Sequence, residues 1–270
     1  MRKPPRMPVV ARAPWRAATV AALIGLLLAA MLFAPARWLG MALDTASGGR
    51  VGLINPRGTV WAGQADLLLS GGAGSRDQAV LPQGIRWRLL PTWAQGPALR
   101  LALHLPCCAP DGLHSWLRPL AGGLEWTLDA SQSRWPTAVL AGLGTPWNTL
   151  MLDGDLRLQS PGLRARWVQG RLQLDGSLQA DATALSSRLS TLAPLGSYRL
   201  TLTATAGTDA RLNLTTLDGA LRLQGEGQWV GGRLRFNGEA QASEEHEATL
   251  SNLLNIVGKR SGRRSLIALG

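Results

Sequence analysis

Apolar and polar residues alternate along most of this chain. Ile85, Trp87 and Leu89 alternate with Arg86 and Arg88, and Leu99, Leu101, Leu103 and Leu105 alternate with Arg100, Ala102 and His104. The triplets Leu124/Trp126/Leu128, Leu163/Ala165/Trp167 and Tyr198/Leu200/Leu202 follow the same rule. A period of two puts one set on each face of a strand. The pattern predicts antiparallel strands with one wet face. Asp153-Gly154, Asp175-Gly176, Asp218-Gly219 and Asn237-Gly238 fall between such runs. These dipeptides accept positive φ, so each is expected to form a tight hairpin turn. Leu152–Leu156, Leu174–Leu178, Leu217–Leu221 and Phe236–Ala240 are near copies around them at irregular spacing, which argues for a meander rather than a solenoid.

Helical signals are few. Pro136–Gly142 reads as one short helix behind a proline. Glu244–Val257 reads as another, with Ser243 as cap, acids in its first turn and Leu250, Leu253, Leu254 and Val257 as its apolar stripe. Residues 70–79, rich in Gly and Ser, read as a loop.

The N-terminal region has a different period. Ala17–Ala36 carries no charge, and about 20 apolar residues span the hydrocarbon core as a helix. Five basic residues and no acid precede it, which places the N-terminus in the cytoplasm. A cleaved signal peptide is the competing reading, through Ala34-Pro35-Ala36. The apolar run is longer than the usual ~7–15 residues of such peptides, so a retained anchor is the better fit. Ala17, Ala21, Gly25 and Ala29 form a small-residue stripe that would let a second helix approach. The expected fold is therefore mainly β: a single transmembrane helix, then an antiparallel, strongly twisted or curled sheet, or a sandwich, of meandering hairpins. The expected layout is a basic tail over 1–16, an anchor over 17–37, a linker over 38–54 and one exported β-rich domain over 55–270.

Net charge changes this picture little. Of the formal +11, all but two units come from the first 16 residues and from residues 259–264. The body is nearly neutral, so a nucleic-acid groove is not expected. Chemistry is equally thin. Cys107 and Cys108 are adjacent between Pro106 and Pro110. They read as a neighbouring redox or disulfide pair, as zinc ligands with Asp111 and His114, or as two thiols in a loop. The spacing fits neither known motif type. Three His, no nucleophile-elbow spacing and no phosphate loop leave no catalytic constellation. No enzyme activity, cofactor, metal or small-molecule substrate is expected. Trp61, Trp87, Trp126 and Trp167 occupy alternation positions, as core packing or as the lining of an apolar groove.

Residues 55–63, Asn-Pro-Arg-Gly58-Thr59-Val-Trp61-Ala-Gly63, follow this apolar segment. The string resembles that of type II secretion system protein N, also called general secretion pathway protein N. Trp87-Arg-Leu-Leu-Pro91 is similar to the family's Trp-x-Leu-x-Pro segment. Leu195-Gly196-Ser-Tyr198 and Leu217-Asp-Gly219-Ala-Leu221 resemble its later strands, and a helix near Leu250–Val257 with a last strand at Ser265–Leu269 keeps the order. The resemblance implies an inner-membrane accessory part of the machine that moves folded proteins across the outer membrane. Its partners would be other secretion components of the inner membrane and periplasm, together with inner-membrane lipid. It supplies no catalytic residues, and Gly58, Thr59, Trp61, Gly63, Trp87, Pro91, Gly196, Tyr198 and Gly219 carry over as structural positions only. The alternative is a periplasmic β-groove for lipid or another apolar ligand, with the Leu- and Trp-rich face as its lining.

Overall fold

The structure is a computed structural model that describes residues 15–93, 96–144, 147–205, 209–230 and 233–269. Residues 1–14 of the expected basic tail lie outside the described residues. Helix α1 (Trp15–Leu32) carries Arg16 and Thr19 near its start, is apolar from Val20 on, and buries nothing against the rest of the chain. Helix α2 (Ala36–Ser47) follows after Pro35 and stops at Gly48, whose φ of 64° closes the last turn. The expected linker, 38–54, thus holds most of α2 and the first residues of a strand.

The strands are β1 (Val51–Gly58), β2 (Ala62–Ser70), β3 (Gln78–Val80), β4 (Ile85–Thr92), β5 (Ala98–Leu105), β6 (Ala109–Leu120), β7 (Gly123–Leu128) and β8 (Ser131–Pro136). A 3₁₀ helix (Thr137–Leu143) and α3 (Trp147–Leu150) interrupt them. Then come β9 (Leu152–Val168), β10 (Arg171–Ser187), β11 (Gly196–Ala204), β12 (Ala210–Gly219), β13 (Leu221–Val230) and β14 (Arg233–Ala242). Helix α4 (Glu247–Val257), β15 (Lys259–Ser261) and β16 (Arg264–Leu269) complete the chain. All sixteen strands join one antiparallel sheet, in the order β1-β2-β4-β5-β6-β7-β9-β10-β11-β12-β13-β14-β16-β15. The short strands β3 and β8 pair with β2 and β9 beside that path. The sheet is continuous and not closed, which decides for one sheet over a sandwich.

Alternation located the strands but not every turn. Asp153-Gly154, Asp175-Gly176 and Asn237-Gly238 lie inside β9, β10 and β14, and only Asp218-Gly219 ends a strand. At Gly154 and Gly176 φ is 145° and 115°, and the ladder between β9 and β10 slips at two points, after Ser177 and after Thr183. A Cβ on Gly176 would strike the Gly162 carbonyl. The Asp-Gly units of β9 and β10 therefore mark bulges, where strands of 17 residues bend. Residues 70–79 likewise include the start of β3, paired with β2.

The apolar face is covered in two places. One cluster joins Ala65, Ile85, Trp87, Leu105, Cys108 and Ala109 of the sheet to Ala36 of α2 and Val139 of the 3₁₀ helix. That 3₁₀ segment crosses back onto β2 and β3, and just beyond it Asn148 Nδ2 donates to Asp77 Oδ2 at 2.8 Å. The second cluster seats Leu250, Leu253 and Leu254 of α4 on Leu221, Ala240 and Ala242, with Leu195 beside them. Helix α4 is preceded by a short 3₁₀ turn, Glu244–His246. Ser243 makes no capping bond to the backbone, and its hydroxyl meets His246 Nδ1 at 2.9 Å instead. In β7 the faces behave unexpectedly: Glu125 is buried while Leu124 is 40% exposed. Arginines on neighbouring strands cover Glu125, whereas Leu124 lies at the open end of the strand.

Aromatic rings lie on glycines across this sheet. A Cβ at Gly63 would collide with the Trp87 ring and the Arg57 carbonyl. Gly63→Val is expected to destabilise the fold by about 1–3 kcal/mol, through overpacking. Gly25→Ala, with nothing within 4 Å of its added carbon, leaves it unchanged. Urea unfolding of both variants checks this.

Candidate functional site: the helix–sheet junction and the charged face

The motif positions at 58–63 meet the end of α1. Gly58 adopts φ of 92° and turns the chain out of β1. Thr59 N–H donates to the Ala62 carbonyl at 2.9 Å, and its Oγ1 accepts from Ala62 N–H at 3.1 Å. This turn then binds the helix. Trp61 Nε1 donates to the Met31 carbonyl at 2.8 Å, and Val60 N–H donates to the Ala34 carbonyl at 2.8 Å. Carbonyls in the last turn of a helix lack an intrahelical partner, so the Trp61 indole satisfies one of them. Trp87 Nε1 donates to the Val60 carbonyl at 3.1 Å, which ties the turn to β4. Leu89 N–H donates to the Trp61 carbonyl on the β2 side of β4. Pro91 lies two residues on, past the end of β2, where its missing N–H costs no ladder bond.

The second motif group lies far along the sheet. Gly196 and Gly219 face each other across β11 and β12. A side chain on Gly196 would occupy the place of the Tyr198 ring. The Tyr198 hydroxyl is buried, donates to the Leu221 carbonyl at 2.9 Å, and is held above its ordinary pKa by burial. The two motif groups are not brought together into one pocket.

Cys107 and Cys108 are joined by a disulfide in the turn between β5 and β6. Cys108 is buried in the first cluster, and its carbonyl accepts from Arg134 N–H at 2.7 Å. Asp111 and His114 line an open trough of about 660 Å³ with Gln132, Gln159, Gln179 and Thr201. Among the described residues no group of three or more His, Cys, Asp or Glu is arranged to hold a metal ion. Ala17, Ala21, Gly25 and Ala29 all lie exposed on α1.

The polar face carries two charge clusters that sequence reading did not find. Glu125 Oε2 accepts from Arg166 Nε at 2.7 Å, with Arg164 and Arg118 at 3.8 and 4.0 Å. Asp181 accepts from Arg199 through both oxygens, at 2.7 and 2.9 Å. Each cluster joins residues on adjacent strands. The only signal in the sequence is opposite charge on polar positions, which is uninformative until register is known.

These features describe a class: a mainly β protein, 58% strand, whose open sheet is hydrogen-bonded to the end of one apolar helix. The family model for Type II secretion system (T2SS), protein N matches residues 49–266. The chain belongs to the type II secretion system protein N family, and so to a type II secretion accessory component. Comparison with curated proteins and with solved structures finds no match.

The Arg199 hydrogen bonds lower the Asp181 pKa, against the opposing cost of burial and with help from Gln179 and Arg157. An acid whose folded pKa lies below its unfolded value, near 3.9, stabilises the fold above that value. The contribution disappears as pH falls through the folded pKa. Asp181→Asn is expected to lose about 1–3 kcal/mol at pH 7, the scale of a charged hydrogen bond. The gap to wild type narrows below about pH 4. Urea unfolding from pH 3 to 7 reads both effects.

Proposed function

We propose that this chain is an inner-membrane-anchored interaction subunit of the type II secretion pathway, with no catalytic role. The carrying observation is α1: an 18-residue helix, apolar beyond Arg16 and Thr19, wholly exposed, and fixed to the sheet through Trp61. An apolar helix that its own chain leaves uncovered calls for a lipid environment. Basic residues before it favour a cytoplasmic N-terminus and a periplasmic sheet. On this reading the anchor carries a single folded domain, since α2 and β1 leave little linker between them. The exposed stripe of Ala17, Ala21, Gly25 and Ala29 offers contact to another helix in the membrane. The unpaired outer strands, β1 at one end and β15–β16 at the other, offer main-chain groups for strand addition.

A second reading has its own observation. Between the two covered clusters, Leu200, Leu202, Leu212 and Leu214 remain only half-buried on the apolar face. Such a face suits a lipid or another apolar ligand. Native mass spectrometry after mild detergent extraction separates the readings, since retained lipid would favour this one.

A photo-crosslinker at position 25 and another at 100, in cells, test the first reading. Crosslinks to inner-membrane secretion components are the expected result. Crosslinks to lipid alone would overturn it. Gly25→Leu meets nothing within this chain, so loss of co-purified components in that variant reports a lost partner contact rather than misfolding.

A further inference from the structure

The end of the sheet that holds α1 differs chemically from the opposite end. One ladder row runs Pro91, Leu99, Leu117, Trp126, Ala165, Leu174 across β4 to β10. Beyond that row, by two or three residues, the strands reach Trp93, Leu120, Leu124 and Trp167 near their turns. Trp93 is 75% exposed, and the other three are 37–44% exposed. All four are on the same end as the Trp61 turn, because Leu89 of β4 pairs with Trp61 just short of the row.

Charge separates in the same way. From that row outward, the segments 33–38, 59–62, 91–93, 96–99, 117–126 and 165–174 form this end and carry Arg37, Arg118, Arg166 and Arg171. Their one acid is Glu125, already ion-paired. At the other end of the same strands, segments 44–50, 70–84, 104–112, 150–156 and 183–188 reverse the balance. Asp44, Asp77, Asp111, Asp153 and Asp155 stand there against Arg50, Arg76 and Arg188. The near-neutral body is therefore polarised along its strands.

We propose that this arginine- and tryptophan-bearing end is a second membrane contact. The hairpin tips of β4–β5, β6–β7 and β9–β10 rest in the headgroup layer of the bilayer that holds α1. This rests on the anchored reading above. Continuity with α1 selects lipid as the occupant: Trp61 hydrogen-bonds the last turn of α1, so the neighbouring tips are held at the depth where that helix leaves the membrane. Indole rings and arginines are the side chains suited to that layer, and anionic lipid complements the charge. Two or three residues of strand reach about 7–10 Å, close to the headgroup depth of roughly 5–8 Å on each side. The contact would fix the sheet's orientation, with its acidic end pointing away from the membrane.

The test uses the full chain in nanodiscs of phosphatidylethanolamine and phosphatidylglycerol. A single environment-sensitive fluorophore is placed through Trp93→Cys, Leu120→Cys, Leu26→Cys or Arg188→Cys. All four positions are exposed, and Cys107 and Cys108 are consumed in their disulfide. The expected result is blue-shifted emission at 93 and 120, quenched more by 5-doxyl than by 12-doxyl lipid. Position 26 shows the reverse order, and position 188 shows no quenching. If 26 is quenched while 93 and 120 behave like 188, the second contact is wrong and the anchor stands. If 26 is also unquenched, both fail. In-cell photo-crosslinks from position 93 that capture a protein instead of lipid would likewise overturn the proposal.

Discussion

A sheet of sixteen strands with one apolar face has to cover that face with very little else. Among the described residues there are two covers, the α2–3₁₀ pair over the first strands and α4 over the last. Elsewhere the sheet brings large rings close against its own backbone. Glycine makes this feasible where an aromatic ring must lie flat on backbone. Gly63 seats Trp87, Gly196 seats Tyr198, and Gly225, Gly227 and Gly238 together seat Phe236. Removing the Cβ lets a large ring bury its area against the ladder, where it otherwise would stand off.

The fold class was legible in the sequence because a period of two survives any arrangement of strands. The 3₁₀ helix behind Pro136 and the terminal helix at Leu250–Val257 were legible for similar local reasons, whereas α2 fell where a linker was expected. The Asp-Gly units of β9 and β10 were misread, whereas Asp218-Gly219 ends its strand as expected, because a bulge and a hairpin turn both need positive φ. Only pairing partners distinguish them, and these lie outside the dipeptide. Burial of Glu125 was invisible for the same reason: its covering arginines come from β6 and β9, joined by register alone. The glycines at 58, 63, 196 and 219 stood out in the sequence, yet their partners, the rings and carbonyls they admit, did not.

The junction links these observations to function. Family membership defines a secretion accessory component, and among the described residues no group of three or more His, Cys, Asp or Glu is arranged to hold a metal ion. What the chain does display is mechanical continuity. Helix α1, the turn at Gly58–Ala62, Trp87 and the first cluster form one hydrogen-bonded and packed path. A helix joined in this way passes orientation to the sheet, as a flexible tether would not. On the proposed interaction role this matters, because the sheet's edges and charged face are then presented in a fixed direction.

Amide hydrogen exchange of the bilayer-embedded protein tests this continuity most directly. Val60 N–H is bonded to the Ala34 carbonyl beyond α1, and Leu89 N–H to the Trp61 carbonyl within the sheet. If helix and sheet are one unit, both amides exchange slowly and to similar extents. Protection at Leu89 with free exchange at Val60 would contradict the account, since it would mean that the helix hangs loosely from an independently folded sheet.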